Sequence, residues 1–277
     1  MKTSNRVFIF STVSLFLIIL IVSAFYRVNF NDRMFFSKND YQKLIINKSS
    51  NEIMLPDFSS LRIYGNFNIM LNQNNQNTPS ITGSKNELNK MIVSIKKNMI
   101  DINKNESGLG TYNYPIKATV TTNSLNSISV FGKSTIIATN LNTPQLTFSL
   151  NGNSNAYLQG EIKNTRLNLK GNSMVHLNLN DEESIILNVY GNNDIHLTGA
   201  VKNLTIKVTG NTAIDAKELI AENVTIIAVG NNKIFVSAAD TLNMRLSGKN
   251  SILYYGKPRI DNESATPSST VVSLGVE

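Results

Sequence analysis

The chain has 277 residues, no cysteine and no tryptophan, and its formal charge of +7 is unevenly spread: residues 1–110 hold 13 Lys and Arg against 7 Asp and Glu, whereas residues 111–277 hold 13 against 12. The lack of cysteine excludes a disulfide framework, a thiolate metal site, a cysteine nucleophile and a lipid-modified cysteine. The nearly neutral second part has no groove of Lys and Arg with which to hold a phosphate backbone, so no nucleic-acid partner is expected. Asparagine makes up about one residue in seven, and an uncharged amide surface of this kind suits turns and stacked side-chain ladders.

At the N-terminus Lys2 and Arg6 precede an apolar run from Val7 to Tyr26. Two readings of residues 1–26 stay open. Twenty uncharged residues can span a bilayer with their basic end inside the cell. Alternatively Val22-Ser23-Ala24 supplies a small residue at the last position and a tolerated one two before it, as a signal-peptide cleavage site needs, and a mature chain beginning at Phe25 would decide for the second. Both place residues 27–277 outside the cytoplasm, in the cell envelope: periplasmic, membrane-anchored or secreted.

Residues 27–56 are polar with scattered aromatics (Phe30, Phe35, Phe36, Tyr41) and read as a spacer with a first strand. A single β domain is expected over 57–274. In its first part, 57–124, apolar residues alternate at period two (Leu61, Ile63; Phe67, Ile69, Leu71; Met91, Val93, Ile95; Ile100, Ile102), the pattern of half-buried strands. Gly65-Asn66, Asn74 to Ser80 and Lys97-Asn98 have turn compositions. Lys85 to Lys90 reads as one helical turn capped by Ser84, with Glu87 three residues on. Asn103 to Pro115 is an Asn- and Gly-rich loop, and Ile116, Ala118 and Val120 restart a strand.

Residues 125–256 are organised by a repeat. Glycines at Gly132, Gly152, Gly171, Gly191, Gly210, Gly230 and Gly248, each followed by small polar or amide residues, recur at steps of 20, 19, 20, 19, 20 and 18. The residues four and two before each glycine, and four and six after it, are apolar; the residues between are mainly Ser, Thr, Asn, Lys or His. Each unit is therefore two short strands sharing one buried face, joined by a tight turn at the glycine and a second turn near Asn164, Asn203 and Asn223. Two such strands cannot bury their faces alone, whereas stacked in parallel at roughly 4.8 Å per coil they enclose a continuous core. The expected fold is all-β, a single-stranded, right-handed parallel β-helix of about seven 19–20-residue coils and ~34 Å length. The glycine serves a turn of positive φ or close packing, and asparagine amides can pair from coil to coil. Residues 257–277 are expected to close the C-terminal end, with Asp261 to Ser269 as a loop before the late strand Val271 to Leu274.

The same residues carry a family resemblance. Leu61-Arg62-Ile63-Tyr64-Gly65-Asn66-Phe67, Ile81-Thr82-Gly83, Ile116 to Ile128, the Gly-Asn units and Tyr254-Tyr255-Gly256-Lys257-Pro258 together resemble the bacterial DUF2807 family, described as an auto-transporter adhesin head GIN domain, over about Phe58 to Leu274. The resemblance implies a β-helix-like fold on exported proteins and an adhesive role. An auto-transporter carries a C-terminal membrane barrel of alternating strands, which the residues before Glu277 do not show, so the expected role is surface or periplasmic binding without self-translocation.

For chemistry, the two histidines, His176 and His196, both lie five residues after a repeat glycine. They should be neighbours on one outward ladder running Ile137, Tyr157, His176, His196, Asp215, Phe235, Leu253. Two imidazoles with Asp215 on the next coil come near metal-ligand geometry, while the plain alternative is solvated surface histidines and no metal. As the most aromatic outward strip, Tyr157, His176, His196 and Phe235 form the candidate binding ladder, able to stack on sugar rings or meet a partner strand. Catalysis would need converging carboxylates. Asp181-Glu182-Glu183 read as a solvated loop between coils, and the other acids fall at separate turns. No catalytic residue and no cofactor are expected. The leading function is a non-catalytic, adhesin-like binding module for an unidentified surface glycan or protein. The alternatives are a polysaccharide-active enzyme on the same scaffold and an envelope scaffold or signalling partner.

Overall fold

Period-two alternation forces each strand to offer one apolar face, and glycine at a fixed interval lets each coil turn back on the last. A computed structural model shows the result for residues 42–43, 51–104 and 114–275. The run Val7 to Tyr26, most of the 27–56 spacer and most of the Asn103–Pro115 loop lie outside these described residues. Among the described residues no helix is long and apolar enough to cross a membrane. The chain divides into Met1–Gln42 and Lys43–Glu277, and the account below concerns the second unit.

The elements in order are β1 (Gln42–Lys43), β2 (Glu52–Met54), β3 (Ser60–Gly65), β4 (Phe67–Gln73), β5 (Ser80–Thr82), α1 (Lys85–Leu88), β6 (Met91–Lys96), β7 (Met99–Lys104), β8 (Ile116–Thr122) and β9 (Ser127–Gly132). Then come β10 (Thr135–Gly152), β11 (Asn155–Gly171), β12 (Met174–Gly191), β13 (Asp194–Gly210), β14 (Ala213–Gly230), β15 (Lys233–Gly248), β16 (Ser251–Tyr255), β17 (Arg259–Ala265) and β18 (Thr270–Ser273). From β9 onward every pairing is parallel, and the whole is an all-β solenoid.

The inward positions counted from each glycine are the core. Ile128, Val130, Phe148, Leu150, Leu187, Val189, Ile195, Ile206, Ile226 and Ile234 are all buried, as are their equivalents through Leu246 and Ile252; only Tyr254, at the last coil, is half-buried. Placing a carboxylate in this column leaves a charge with no partner, so Ile195→Asp is expected to cost more than about 3 kcal/mol and to prevent folding. An unchanged melting temperature for that variant would put the inward register in error.

The strands do not break at the second corner as the sequence suggested. Each of β10 to β15 runs through it with a register irregularity, for example between Gly160 and Asn164 and between Leu179 and Glu182. Backbone pairing with the coils on either side continues across the bend, so a bulge replaces a turn. At the C-terminal end the expected Asp261–Ser269 loop is likewise mostly strand: β17 pairs with the second half of β15, and β18 pairs with β16. The exposed backbone edge of β15 accepts a partner regardless of the polar side chains that partner carries.

Near the N-terminus, chain order and stacking order part. β3 and β4, joined at Gly65, form a coil against β9 and the start of β10, with Gly65 beside Gly132. The intervening segment returns to the outer side of that coil, β7 on β3 and β8 on β4. Antiparallel β6 on β7 and β5 on β8, with β2 on β5, then seal the end. Reversal of direction ends the stack, because a further parallel coil would need a parallel edge. α1 is the single helical turn expected, with the Ser84 hydroxyl accepting the Glu87 N–H at 3.3 Å.

Candidate functional site

The glycine corner is a structural column. Eight glycines, from Gly65 to Gly248, stand in register. Beside them Asn172 donates to Asn153 at 3.1 Å, Asn192 to Asn172 at 3.0 Å and Asn231 to Asn211 at 3.2 Å. Two residues past each glycine from Gly132 to Gly248 a buried Ser, Thr or Asn ties adjacent coils. The Ser134 N–H donates to Ser154 Oγ, and the Thr212 N–H to Asn232 Oδ1, each at 3.1 Å. The exposed amides thus pair with one another along the corner, while the buried Asn193, Asn232 and Asn250 are satisfied by backbone and neighbouring side chains, as burial requires.

The outward ladder five residues past the glycine is assembled as its spacing implied. Ile137 pairs with Tyr157, Tyr157 with His176, His176 with His196, His196 with Asp215, Asp215 with Phe235 and Phe235 with Leu253. The ladder continues beyond both ends into Met70 and Val272. Period-two strands in exact parallel register leave no other outcome, since each side chain stands over its equivalent one coil away.

Ring geometry was not legible from spacing. Tyr157 and His176 stack with centroids 4.9 Å apart and planes 4° from parallel; His176 and His196 stack at 4.8 Å and 7°. These separations equal the strand spacing, so the rings lie face to face along the solenoid and turn their edges to solvent. The faces between Tyr157, His176 and His196 are occupied by one another. Phe235 has the ammonium of Lys233 over its ring, 4.9 Å from the centroid. The edges line a shallow recess of about 270 Å³ with Thr139, Gln159, Asn178 and Thr198. It presents phenol, imidazole, amide and hydroxyl groups, which donate and accept, beside the apolar Leu158 and Leu177.

The carboxylates near this strip are engaged individually. Asp194, on the same strand, lies 3.3 Å from His196 Nε2, and Asp215 lies 3.7 Å from Lys217 Nζ. Parallel imidazole planes also direct their in-plane nitrogen lone pairs along parallel lines, which do not converge on one ion. Among the described residues no group of three or more His, Cys, Asp or Glu is placed to hold a metal. His176, His196 and Asp215 are thus brought into one ladder, but as a stack.

One acidic residue departs from the expected solvated loop. Glu182 is buried, 2% exposed, within the continuous strand β12 and paired with Val201 of the next coil. Thr165 Oγ1 donates to its Oε1 at 3.2 Å, and Oε2 has no partner. Burial in the apolar core pushes its carboxyl up to about 8, against a smaller opposing effect of the Thr165 hydrogen bond. The irregularity just before it, between Leu179 and Glu182, resets which residues face inward.

The chain is a parallel β-solenoid with a sealed N-terminal end and a ring-edged strip on its flank. The chain belongs to the DUF2807 family, "Putative auto-transporter adhesin, head GIN domain", whose model matches residues 57–258. Solved structures share the fold at low identity. One is a candidate adhesin from Parabacteroides merdae, at 18% identity and a TM-score of 0.66, covering 86% of this chain and 98% of that one. Another is a candidate lipid-binding protein from Parabacteroides distasonis, at 18% identity and a TM-score of 0.64, with the same coverage of both chains. A candidate adhesin from Bacteroides fragilis aligns at 19% identity and a TM-score of 0.53, covering 87% of this chain and 95% of that one. No curated protein matches the chain.

Proposed function

We propose that this chain is an exported envelope protein that binds a polar surface ligand, a glycan before a protein, along the strip through Tyr157, His176, His196 and Phe235, without catalysis. The observation that carries the reading is the ring stack itself. Three rings fixed edge-outward by their own packing are preorganised, so a ligand meeting their polar rims and the amides of Gln159 and Asn178 orders little on binding. Hydroxyl-rich sugars match an array that both donates and accepts. Family membership supports an adhesive, extracytoplasmic role, and the run Val7 to Tyr26 would deliver the chain to the membrane or through it.

A polysaccharide-active enzyme needs two carboxyl groups facing one substrate. Asp194 and Asp215 are instead spent on His196 and Lys217, which favours binding over hydrolysis. A glycan array probed with the full chain is expected to give hits that Tyr157→Ala and His196→Ala each weaken at least tenfold, with folding unchanged because both side chains are at the surface. Array binding indifferent to both substitutions would sink the assignment to this strip. Release of sugar products by the unaltered chain would overturn its non-catalytic character. Co-purification of one envelope protein, lost in Tyr157→Ala, would move the ligand from glycan to protein.

A further inference from the structure

At its N-terminal end the same ladder runs into a cleft of different chemistry. α1 and the residues before it border the outer face of β8, β4 and β10, leaving an open cleft of about 560 Å³, within the range of small-ligand sites. Its floor is Met70 and Ile137, paired neighbours that are 53% and 38% exposed. Gly83, Ser84 and Glu87 form the wall, and Lys117 and Thr119 of β8 lie between that wall and Met70, Thr119 pairing with Met70.

The charges at the cleft are unequal in what they already hold. Glu87 receives Lys90 Nζ on one carboxylate oxygen and the Lys117 backbone N–H on the other, each at 3.3 Å. The exposed Lys117 ammonium makes no ion pair among the described residues. The cleft therefore couples an apolar floor to one uncompensated cation at its rim. A peptide strand finds no backbone edge here, because β5 is paired on both sides, to β2 and to β8. Asn68, Thr119 and Thr135 add hydrogen-bonding groups, but most of the surface the cleft offers is apolar, so an alkyl chain matches it better than a sugar does.

We propose that this cleft binds a single-chain anionic amphiphile, a long-chain carboxylate, with its alkyl chain on Met70 and Ile137 and its head group at the Lys117 ammonium. This site adjoins the ring stack, where Ile137 pairs with Tyr157, but its chemistry does not rest on the glycan reading.

The test uses the full chain in membranes of expressing cells, irradiated with a long-chain fatty acid that carries a photoactivatable diazirine on its chain, followed by peptide mapping. Adducts are expected on the peptides containing Met70, Thr82 to Glu87, Lys117 to Thr119 and Ile137. They should fall at least tenfold in a Met70→Glu, Ile137→Glu double variant and severalfold in Lys117→Glu. The milder Met70→Ser should give a partial loss, and a melting temperature equal to wild type shows that each variant is folded. Excess unlabelled carboxylate should compete, and the amine of the same chain length should not. Labelling confined to Val7 to Tyr26, labelling unchanged in the double variant, or competition by a diacyl phospholipid and not by the carboxylate would each overturn the proposal. Ile137 pairs with Tyr157 in the ladder, so glycan binding is read in Met70→Ser and Lys117→Glu, which lie outside that pair, and there it can fail or survive independently.

Discussion

Gly191→Ala is expected to remove a substantial part of the stability of the solenoid. A Cβ at this position would sit 2.3 Å from the carbonyl oxygen of Gly171, and backbone on the adjoining coil cannot swing away as a side-chain tip can. The residue also has φ +107°, a region open to glycine and strained for alanine. Strain and overpacking each cost about 1–3 kcal/mol, so a loss of roughly 2–6 kcal/mol is expected against a total of about 5–15 kcal/mol for a typical domain. At about 2–4 °C per kcal/mol for a unit of this size, thermal melting should drop by at least about 5 °C. Gly275→Ala supplies the contrast: its φ is +89° but nothing lies within 4 Å of the added carbon, so only the strain remains. Asn192→Ala removes one inter-coil hydrogen bond and should cost only about 0.5–1.5 kcal/mol. If Gly191→Ala melted like Asn192→Ala, close glycine stacking would not be what holds this corner.

Glu182→Gln is expected to stabilise the protein at neutral and higher pH and to leave it nearly unchanged in acid. The folded carboxyl is raised from an ordinary 4.5 to about 8. Below 4.5 the carboxyl is protonated both folded and unfolded, and no penalty exists. Between 4.5 and 8 the unfolded chain releases a proton that the folded chain keeps, so the folded state binds more protons and stability falls as pH rises. Above about 8 the loss is complete, and at 1.36 kcal/mol per pKa unit it amounts to roughly 3–5 kcal/mol. Glutamine carries no charge at any pH and retains an oxygen for the Thr165 hydroxyl. Chemical denaturation at a series of pH values should therefore show the variant-minus-wild-type stability growing from near zero at about pH 4 to several kcal/mol at about pH 9. A difference that stays constant across that range would mean that Glu182 is solvated and faces outward.

Much of this protein can be read from its residues one at a time. The glycine steps, the apolar positions two and four before and four and six after, and the outward ladder through Tyr157, His176 and His196 all follow from period-two alternation, which is local. Gly65 obeys the same rule, with Leu61 and Ile63 before it and Ile69 and Leu71 after it, and could have been added to the column on that signal. What concealed it is that its neighbour in the stack is Gly132, beyond the whole capping segment.

Choice of strand partner is non-local, and there the sequence alone falls short. Nothing in the segment 74–125 says that β7 and β8 return to the outer side of β3 and β4, or that β17 completes the edge of β15. Inward and outward can be counted only while the strand stays regular, which is why Glu182, just past a bulge, was assigned to solvent. Side-chain planes are set by packing against the neighbouring coil, so the stacking that turns the rings edge-outward, and the cleft that α1 makes over Met70 and Ile137, exist only in the folded molecule. The sequence by itself determined the repeat, its core and which residues share a ladder, because backbone alternation and the absence of a Cβ are properties of the residues. The tertiary structure decided what each ladder presents to solvent, because that depends on contacts between coils.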